Sequence, residues 1–292
     1  MLIARVPRIA RKVVVVCLSL AVLLVVGLAF ASEPTALAAR ALPERSDLPA
    51  AHLVDRAGHA TIDAATRAKV ATRPLTLRDG DASVLAFAPV PRATDGSHDS
   101  RDSRELTVVY LHGIHGLPAN GCPWLRDGAT ELGWLVCPEA NERLANGTFS
   151  WGGTVAAQYA VVARAEHVAQ ANGANASAND ADVLVGFSQG AYVALDLVQA
   201  RLGRHRGLVL IGADVAPSRA MLDAAGVSRI VLAAGDLDAA SPPMKRAVDR
   251  LQREGMDARY VSLGRIGHSY ETTEKEALRD AIVWSGTSPA SS

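Results

Sequence analysis

The sequence of 292 residues contains few aromatic residues and few cysteines, and its formal net charge at pH 7 is zero. The 30 Lys and Arg residues balance the 30 Asp and Glu residues, so no overall field exists to concentrate nucleic acid, an anionic membrane surface or an acidic substrate. We therefore expect no nucleic-acid partner. The length suffices for one sizeable domain with an N-terminal extension and is too short for two catalytic domains of typical size.

Only 4% of the residues are aromatic although 49% are hydrophobic, and Ala, Val and Leu supply most of the apolar content. Such side chains suit a buried parallel sheet covered by Ala-rich helices. Strand-like runs alternate with helical stretches, which predicts an α/β fold with a mostly parallel central sheet, helices on both faces and right-handed crossovers. The predicted strands cover residues 83–89, 106–111, 134–137, 182–187, 207–211, 229–233 and 259–263, and the predicted helices cover residues 154–171, 191–202, 243–254 and 273–284.

The N-terminal segment differs from the rest of the chain in charge and hydropathy. Four basic residues precede a run without a charged residue, residues 13–31, which closes on the small residues Ala29 and Ala31. This order predicts that residues 1–31 are a secretory signal peptide of an exported protein, periplasmic or secreted. Because about 20 apolar residues can span a bilayer, an uncleaved membrane anchor is the alternative. Residues 32–73 show little periodicity and are expected to be a linker or loosely packed lead-in to a catalytic domain over residues 74–292.

Two of the three cysteines stand in the predicted domain. Cys122 and Cys137 would close a loop of about 15 residues, for which the chain-entropy model gives about 3 kcal/mol of stabilisation. In an oxidising compartment we expect them to form a disulfide. The alternative is two separate buried thiols, because sequence spacing does not show whether their Cα atoms come within bonding range.

The strongest local signal is the pentapeptide Gly-Phe-Ser-Gln-Gly at residues 186–190. It stands between an apolar strand and a helical run, which is the context that a G-x-S-x-G nucleophile elbow requires. The sharp turn projects the serine oxygen above the sheet, and the flanking glycines let strand and helix approach closely. The sequence therefore predicts Ser188 as a nucleophile.

A serine hydroxyl is a poor nucleophile near neutral pH and needs a base within hydrogen-bond reach. Two histidines follow Ser188 in the chain. His205 lies between two arginines, where we expect a solvated surface residue. His268 follows the last predicted strand on a glycine-bearing loop and is the predicted general base.

A carboxylate is needed to orient that base, and two candidates follow the strand at residues 229–233. Asp238 is favoured because it lies deeper in the loop, three residues after Gly235. Asp236 is the alternative, although its side chain could instead cap the turn.

The negative charge that develops on a substrate oxygen needs donors already in place. We expect the backbone amides of Ile114, after an apolar strand that runs into His-Gly, and of Gln189 to form this oxyanion hole. His112 and His115 lack a third ligand at metal-binding spacing, so we expect no metal and no cofactor. His112 is expected to hold the loop by hydrogen bonds.

Three aromatic residues stand in glycine-bearing segments between the early strands: Trp124, Phe149 and Trp151. They would line an acyl or aromatic substrate pocket or, equally, pack against the sheet edge. Fewer than twenty residues separate the strands that end at Ile211 and begin at Arg229, which leaves no room for a helical cap domain. We therefore expect an open site.

Four short blocks together carry a resemblance to a known family: Leu111-His112-Gly113, the elbow at residues 186–190, Gly235-x-x-Asp238 and Gly267-His268-Ser269. From about residue 83 to 284 the chain resembles the α/β-hydrolase superfamily, in its capless branch of carboxylesterases, acyl-protein thioesterases and dienelactone hydrolases. The resemblance implies an α/β-hydrolase fold and hydrolysis of an ester or thioester through an acyl-enzyme, and it supports the roles given to Asp238, Gln189 and Ile114. The chain departs from the thioesterase pattern at His115 and Ala191.

The expected function is therefore that of an exported serine hydrolase acting on a small-molecule or lipid-like ester. The same triad can cleave peptides and amides, so a peptidase or amidase is the first alternative. A non-catalytic binding protein with the same fold is the second, because fold alone does not establish activity. The substrate, a membrane tether through residues 13–31 and the oligomeric state are left open by the sequence.

Overall fold

A computed structural model of the protein describes residues 73–80, 82–90, 105–174, 182–272 and 274–287. The predicted signal peptide or anchor, and the predicted lead-in except for residue 73, lie outside the described residues. Across the parts of the chain that the structure describes, no helix combines the length and the apolarity needed to cross a membrane.

Within the described residues, eight strands form one central sheet. These strands are β1 (Leu75–Asp79), β2 (Ala82–Phe87), β3 (Leu106–Leu111), β4 (Gly133–Pro138), β7 (Asp182–Phe187), β8 (His205–Ile211), β9 (Arg229–Ala234) and β10 (Asp257–Ser262), and a separate short pair consists of β5 (Glu142–Arg143) and β6 (Phe149–Ser150). The order in the sheet is β1-β2-β4-β3-β7-β8-β9-β10. The strands β1 and β2 are antiparallel to their neighbours, and all other pairs in this sheet are parallel. The prediction of a mostly parallel sheet is confirmed.

Helices cover both faces of the sheet, as predicted. The described helices are α1 (Pro118–Leu132), α2 (Val155–Ala171), α3 (Gln189–Gln199), α4 (Arg219–Ala225), α5 (Ser241–Arg253) and α6 (Lys275–Gly286). Side chains alternate between the faces along each strand. Leu184 of β7 belongs to the apolar cluster that contains residues of α2, α3 and α5, whereas Val183 and Val185 belong to the cluster that contains residues of α1 and α6. The sheet is therefore buried on both sides, which explains its nearly continuous apolar strands.

Helix α1 is absent from the sequence prediction, because Gly121, Pro123 and Gly128 interrupt its helical pattern. Packing explains two of these residues. A side chain at Gly121 would lie 2.2 Å from the hydroxyl oxygen of Tyr110, and one at Gly128 would meet the backbone of α6 at 2.7 Å. A disulfide joins Cys122 of α1 to Cys137 at the end of β4.

The prediction of a solvated His205 was wrong. Strand β8 begins at this residue rather than at residue 207, and pairing with β7 carries the imidazole into the protein, where it is 3% exposed. Burial disfavours the charged imidazolium and lowers the pKa of His205 from 6.5 to about 4. The two flanking arginines indicate a surface position, but the strand register places the His205 imidazole inside the protein.

Candidate active site

Ser188 occupies the turn between β7 and α3 at the carboxyl edge of the sheet. Its backbone has φ 51° and ψ −117°, a conformation that a residue with a side chain rarely adopts. The turn is tight enough that a Cβ at Gly186 would lie 2.4 Å from the carbonyl oxygen of Gly190, and one at Gly190 would lie 2.1 Å from that of Leu111. Glycine is thus sterically required on both sides of Ser188.

The structure brings Ser188, His268 and Asp238 together. His268 Nε2 lies 2.8 Å from Ser188 Oγ, and His268 Nδ1 lies 2.9 Å from Asp238 Oδ2. Asp238 is buried, and its other carboxylate oxygen accepts a hydrogen bond of 2.9 Å from the backbone amide of Ala240. With Nδ1–H donating to the carboxylate, Nε2 is free to accept the Ser188 proton, which is the arrangement that activates a hydroxyl.

Asp236 makes different contacts from Asp238. Its exposed carboxylate accepts a hydrogen bond of 2.7 Å from the Ser262 hydroxyl, and its backbone amide donates to the carbonyl of Gly264. Its carboxylate therefore joins this loop to the end of β10. Of the two candidate acids, Asp238 is the one in contact with His268.

A row of aromatic rings supports the His268 loop, and the sequence reasoning did not single these rings out. The Phe187 ring lies 5.1 Å from the His268 imidazole and meets Tyr270 edge-on at 4.6 Å, and Tyr270 in turn meets Tyr110 at 6.4 Å. A side chain at Gly212 would come within 3.2 Å of Phe187, His268 and Asp238. The position of Phe187 inside the elbow was the available signal for its contact with the base.

The two predicted oxyanion amides belong to chain segments next to Ser188. A Cβ at Gly113 would be 3.2 Å from Ser188 Cβ, so the Gly113–Ile114 peptide follows directly beside the serine. Gln189 is the first residue of α3, and the first N–H groups of a helix have no acceptor within it. Within the described residues, neither amide donates a hydrogen bond to another protein group. Both groups are thus available to a ligand oxygen, and their role stays a prediction.

His112 is buried between two backbone segments. Its Nε2 accepts a hydrogen bond of 3.2 Å from the Ala140 amide, so the proton of a neutral ring is on Nδ1, which donates to the Gly113 carbonyl at 2.8 Å. Burial lowers the pKa of His112 and so favours this neutral form. His115 is exposed with φ 54°. In the described part of the chain no group of three or more His, Cys, Asp or Glu side chains is placed to hold a metal ion.

The three aromatic residues predicted to line a pocket have different surroundings. Trp151 is 4% exposed, and its indole N–H donates to the carbonyl of His112 at 2.9 Å. Phe149 is half-buried and packs against the apolar cluster to which Trp151 belongs. Trp124 lies on α1, with the ammonium of Lys275 5.1 Å from its ring centre. These contacts favour the packing alternative for Trp151, and the pocket role of the other two stays a prediction.

Solved structures with the same architecture were found by comparison of folds. FphF, a fluorophosphonate-binding serine hydrolase of Staphylococcus aureus determined with substrate bound, is 14% identical over 74% of this chain and 98% of its own, with a TM-score of 0.50. A putative esterase from Staphylococcus aureus is 13% identical over 76% of this chain and 85% of its own, with a TM-score of 0.50. An uncharacterized protein from Bacillus cereus is 17% identical over 68% of this chain and 64% of its own, with a TM-score of 0.53.

At the level of sequence, no protein-family model matches the chain, and no curated protein matches it. Identities below 20% carry information about architecture alone, since one fold hosts many functions. The strand order, the parallel sheet covered on both faces and these structural neighbours together establish that the chain has the α/β-hydrolase fold.

Proposed function

We propose that the protein is a serine hydrolase that cleaves carboxylic esters or thioesters through an acyl-enzyme. The observation that carries the proposal is the continuous hydrogen-bonded series from Asp238 through His268 to Ser188, with distances of 2.9 and 2.8 Å. Their order is the one that nucleophilic catalysis requires.

In the first half of the reaction, Ser188 Oγ attacks the carbonyl carbon while its proton passes to His268 Nε2. The carbonyl π electrons move to the oxygen, and the amides of Ile114 and Gln189 donate to that oxyanion. When the oxyanion collapses, the bond to the alcohol or thiol breaks. The leaving group takes the proton from His268, and the acyl group remains on Ser188.

In the second half, a water molecule transfers a proton to His268 Nε2 as its oxygen attacks the acyl carbon. The same two amides stabilise the second oxyanion. Its collapse releases the carboxylic acid, and the proton on His268 returns to Ser188 Oγ. Asp238 stays ionised throughout and stabilises the imidazolium that forms in each half.

An apolar, lipid-like acyl group suits the surroundings of Ser188. Only residues 212–228 with the short helix α4 connect β8 to β9, so this connection places no large cap over the serine. Three large apolar side chains on the segments that carry site residues are exposed: Ile114 at 55%, Tyr192 at 46% and Leu237 at 66%. Hydrocarbon of the substrate would remove these side chains from water, which is favourable in proportion to the area buried.

We also propose that the enzyme is exported. The Cys122–Cys137 disulfide supports this, because disulfides persist in oxidising compartments and are rare where thiols are kept reduced. The N-terminal segment that predicts export lies outside the described residues.

A fluorophosphonate probe tests the proposed nucleophile directly. We expect one equivalent of label on Ser188, located by mass spectrometry, and none on folded Ser188→Ala. Turnover of nitrophenyl esters and not of peptide anilides would separate an esterase from a peptidase or amidase. Folded wild-type protein that neither takes up the probe nor turns over any ester would contradict the proposal and favour a binding protein.

A further inference from the structure

We propose that Trp151 positions both halves of the oxyanion hole, and that its contribution appears in the transition state rather than in substrate binding. The proposal rests on the proposed function, since an oxyanion forms only if Ser188 attacks a carbonyl carbon. It assigns to Trp151, for which the sequence predicts either a pocket wall or ordinary packing, a role that acts through other residues.

Trp151 is hydrogen-bonded to the elbow through its backbone. The Gln189 side chain accepts from the Trp151 amide at 3.1 Å and donates to the Trp151 carbonyl at 3.0 Å. The backbone amide of Gln189 is one of the two expected oxyanion donors. The paired hydrogen bonds hold the first residue of α3 against the segment that contains Trp151.

The indole of Trp151 contacts the other half of the hole. Its Nε1–H donates to the carbonyl of His112 at 2.9 Å, at the end of β3. The following peptide, Gly113–Ile114, carries the expected oxyanion donor. Its Gly113 carbonyl and its Ile114 N–H lie in one plane and point in opposite directions. Since Gly113 O accepts from His112 Nδ1 at 2.8 Å and from the Gly116 amide at 3.1 Å, the Ile114 N–H is directed away from both donors.

The segment that carries Trp151 is itself held on its other side. Asn141 donates to the Gly152 carbonyl at 2.9 Å and accepts from the Gly152 amide at 3.0 Å. Two neighbouring residues are thus each bound through both backbone groups by a side-chain amide. A segment fixed in this way can hold two donors at a constant separation, and preorganised donors are the ones that lower a barrier.

The test compares Trp151→Phe with Trp134→Phe in the full chain. Both tryptophans are 4% exposed, but Trp134 packs in a different apolar cluster, so the pair separates loss of the Trp151 indole N–H from the general cost of a smaller buried ring. For Trp151→Phe we expect kcat on a nitrophenyl ester to fall about tenfold with KM within about twofold, because a misplaced donor costs transition-state stabilisation. Trp134→Phe should keep wild-type kcat.

The affinity of a trifluoromethyl ketone inhibitor distinguishes the proposed role of Trp151 from a purely structural one. This inhibitor forms a tetrahedral oxyanion adduct with a reactive serine, so its affinity should fall by the same factor as kcat in Trp151→Phe. Gln189→Met removes both side-chain hydrogen bonds and keeps the backbone amide, and it should show the same pattern. In the double variant the loss should be smaller than the product of the single losses, since both residues act on one arrangement.

Wild-type kcat and inhibitor affinity in folded Trp151→Phe would overturn the proposal, as would equal losses in Trp134→Phe. If Trp151→Phe does not fold, Gln189→Met decides on the same criteria. Failure of the proposed function gives a different result: wild-type protein that turns over no ester and leaves Ser188 unlabelled.

Discussion

The carboxylate of Asp238 accepts a hydrogen bond of 2.9 Å from His268 Nδ1, although the two residues are 30 positions apart in the chain. Two loops at the carboxyl edge of the sheet make this contact possible. The Leu237 amide donates to the Ile266 carbonyl at 3.0 Å, and a side chain at Gly235 would lie 2.1 Å from that same oxygen. The acid and the base are therefore positioned by direct backbone contact between their loops.

Asp238→Asn should lower kcat by about three to four orders of magnitude, because the amide no longer stabilises the imidazolium or selects the required tautomer. Asp236→Asn is the matched control and should stay within a few-fold of wild type. Steady-state kinetics on a nitrophenyl ester measures both. A large loss in Asp236→Asn with an active Asp238→Asn would show that the contact with His268 is not the catalytic one.

Leu237→Ser should reduce the preference for long acyl chains. Loss of one apolar contact of this size costs about 1 to 2 kcal/mol, so kcat/KM on decanoate esters should fall about tenfold while acetate esters change little. Val90→Ser is the control, since Val90 is also exposed, at 49%, but follows β2 at the opposite edge of the sheet. Equal effects on both esters, or the same loss in Val90→Ser, would argue against an apolar acyl site.

Replacement of both Cys122 and Cys137 by serine should lower the free energy of unfolding by about 3 kcal/mol, because the unfolded chain gains the freedom of a 15-residue loop. Urea unfolding of the oxidised wild type and the double variant measures the difference. A reductant should shift the wild type toward the variant and leave the variant unchanged. Identical midpoints before and after reduction would show that the crosslink contributes no stability.

His205 should make the folded state sensitive to acid. Its pKa is about 4 in the folded protein against 6.5 when unfolded, so between these values the unfolded chain takes up a proton that the folded protein does not. Stability is therefore retained above pH 6.5 and falls as the pH drops toward 4, by at most about 3 kcal/mol.

The measurement is urea unfolding of wild type and His205→Leu across that range. His205→Leu should flatten the pH dependence, whereas His167→Leu, at an exposed position on α2, should keep the wild-type slope. An unchanged slope in His205→Leu would assign the acid sensitivity to other groups.

Local patterns in the sequence determined the class of fold and the elbow. Apolar strands alternating with helices predict a parallel sheet, because each element carries its own periodicity, and the glycines around Ser188 are demanded by a turn of only five residues. The proposal of His268 as base needed only chain order and the small number of histidines. None of these inferences depends on contacts between distant residues.

Tertiary structure decided what depends on register and on loop conformation. The sequence favours Asp238 over Asp236 by its position in the loop, and the pairing of the 235–238 loop with the His268 loop is what brings Asp238 into contact with the base. The burial of His205 follows from where β8 begins, and the contacts of Trp151 join three segments that are remote in sequence. The hydrogen bonds of the site join groups up to 80 residues apart, and no local pattern of side chains encodes their geometry.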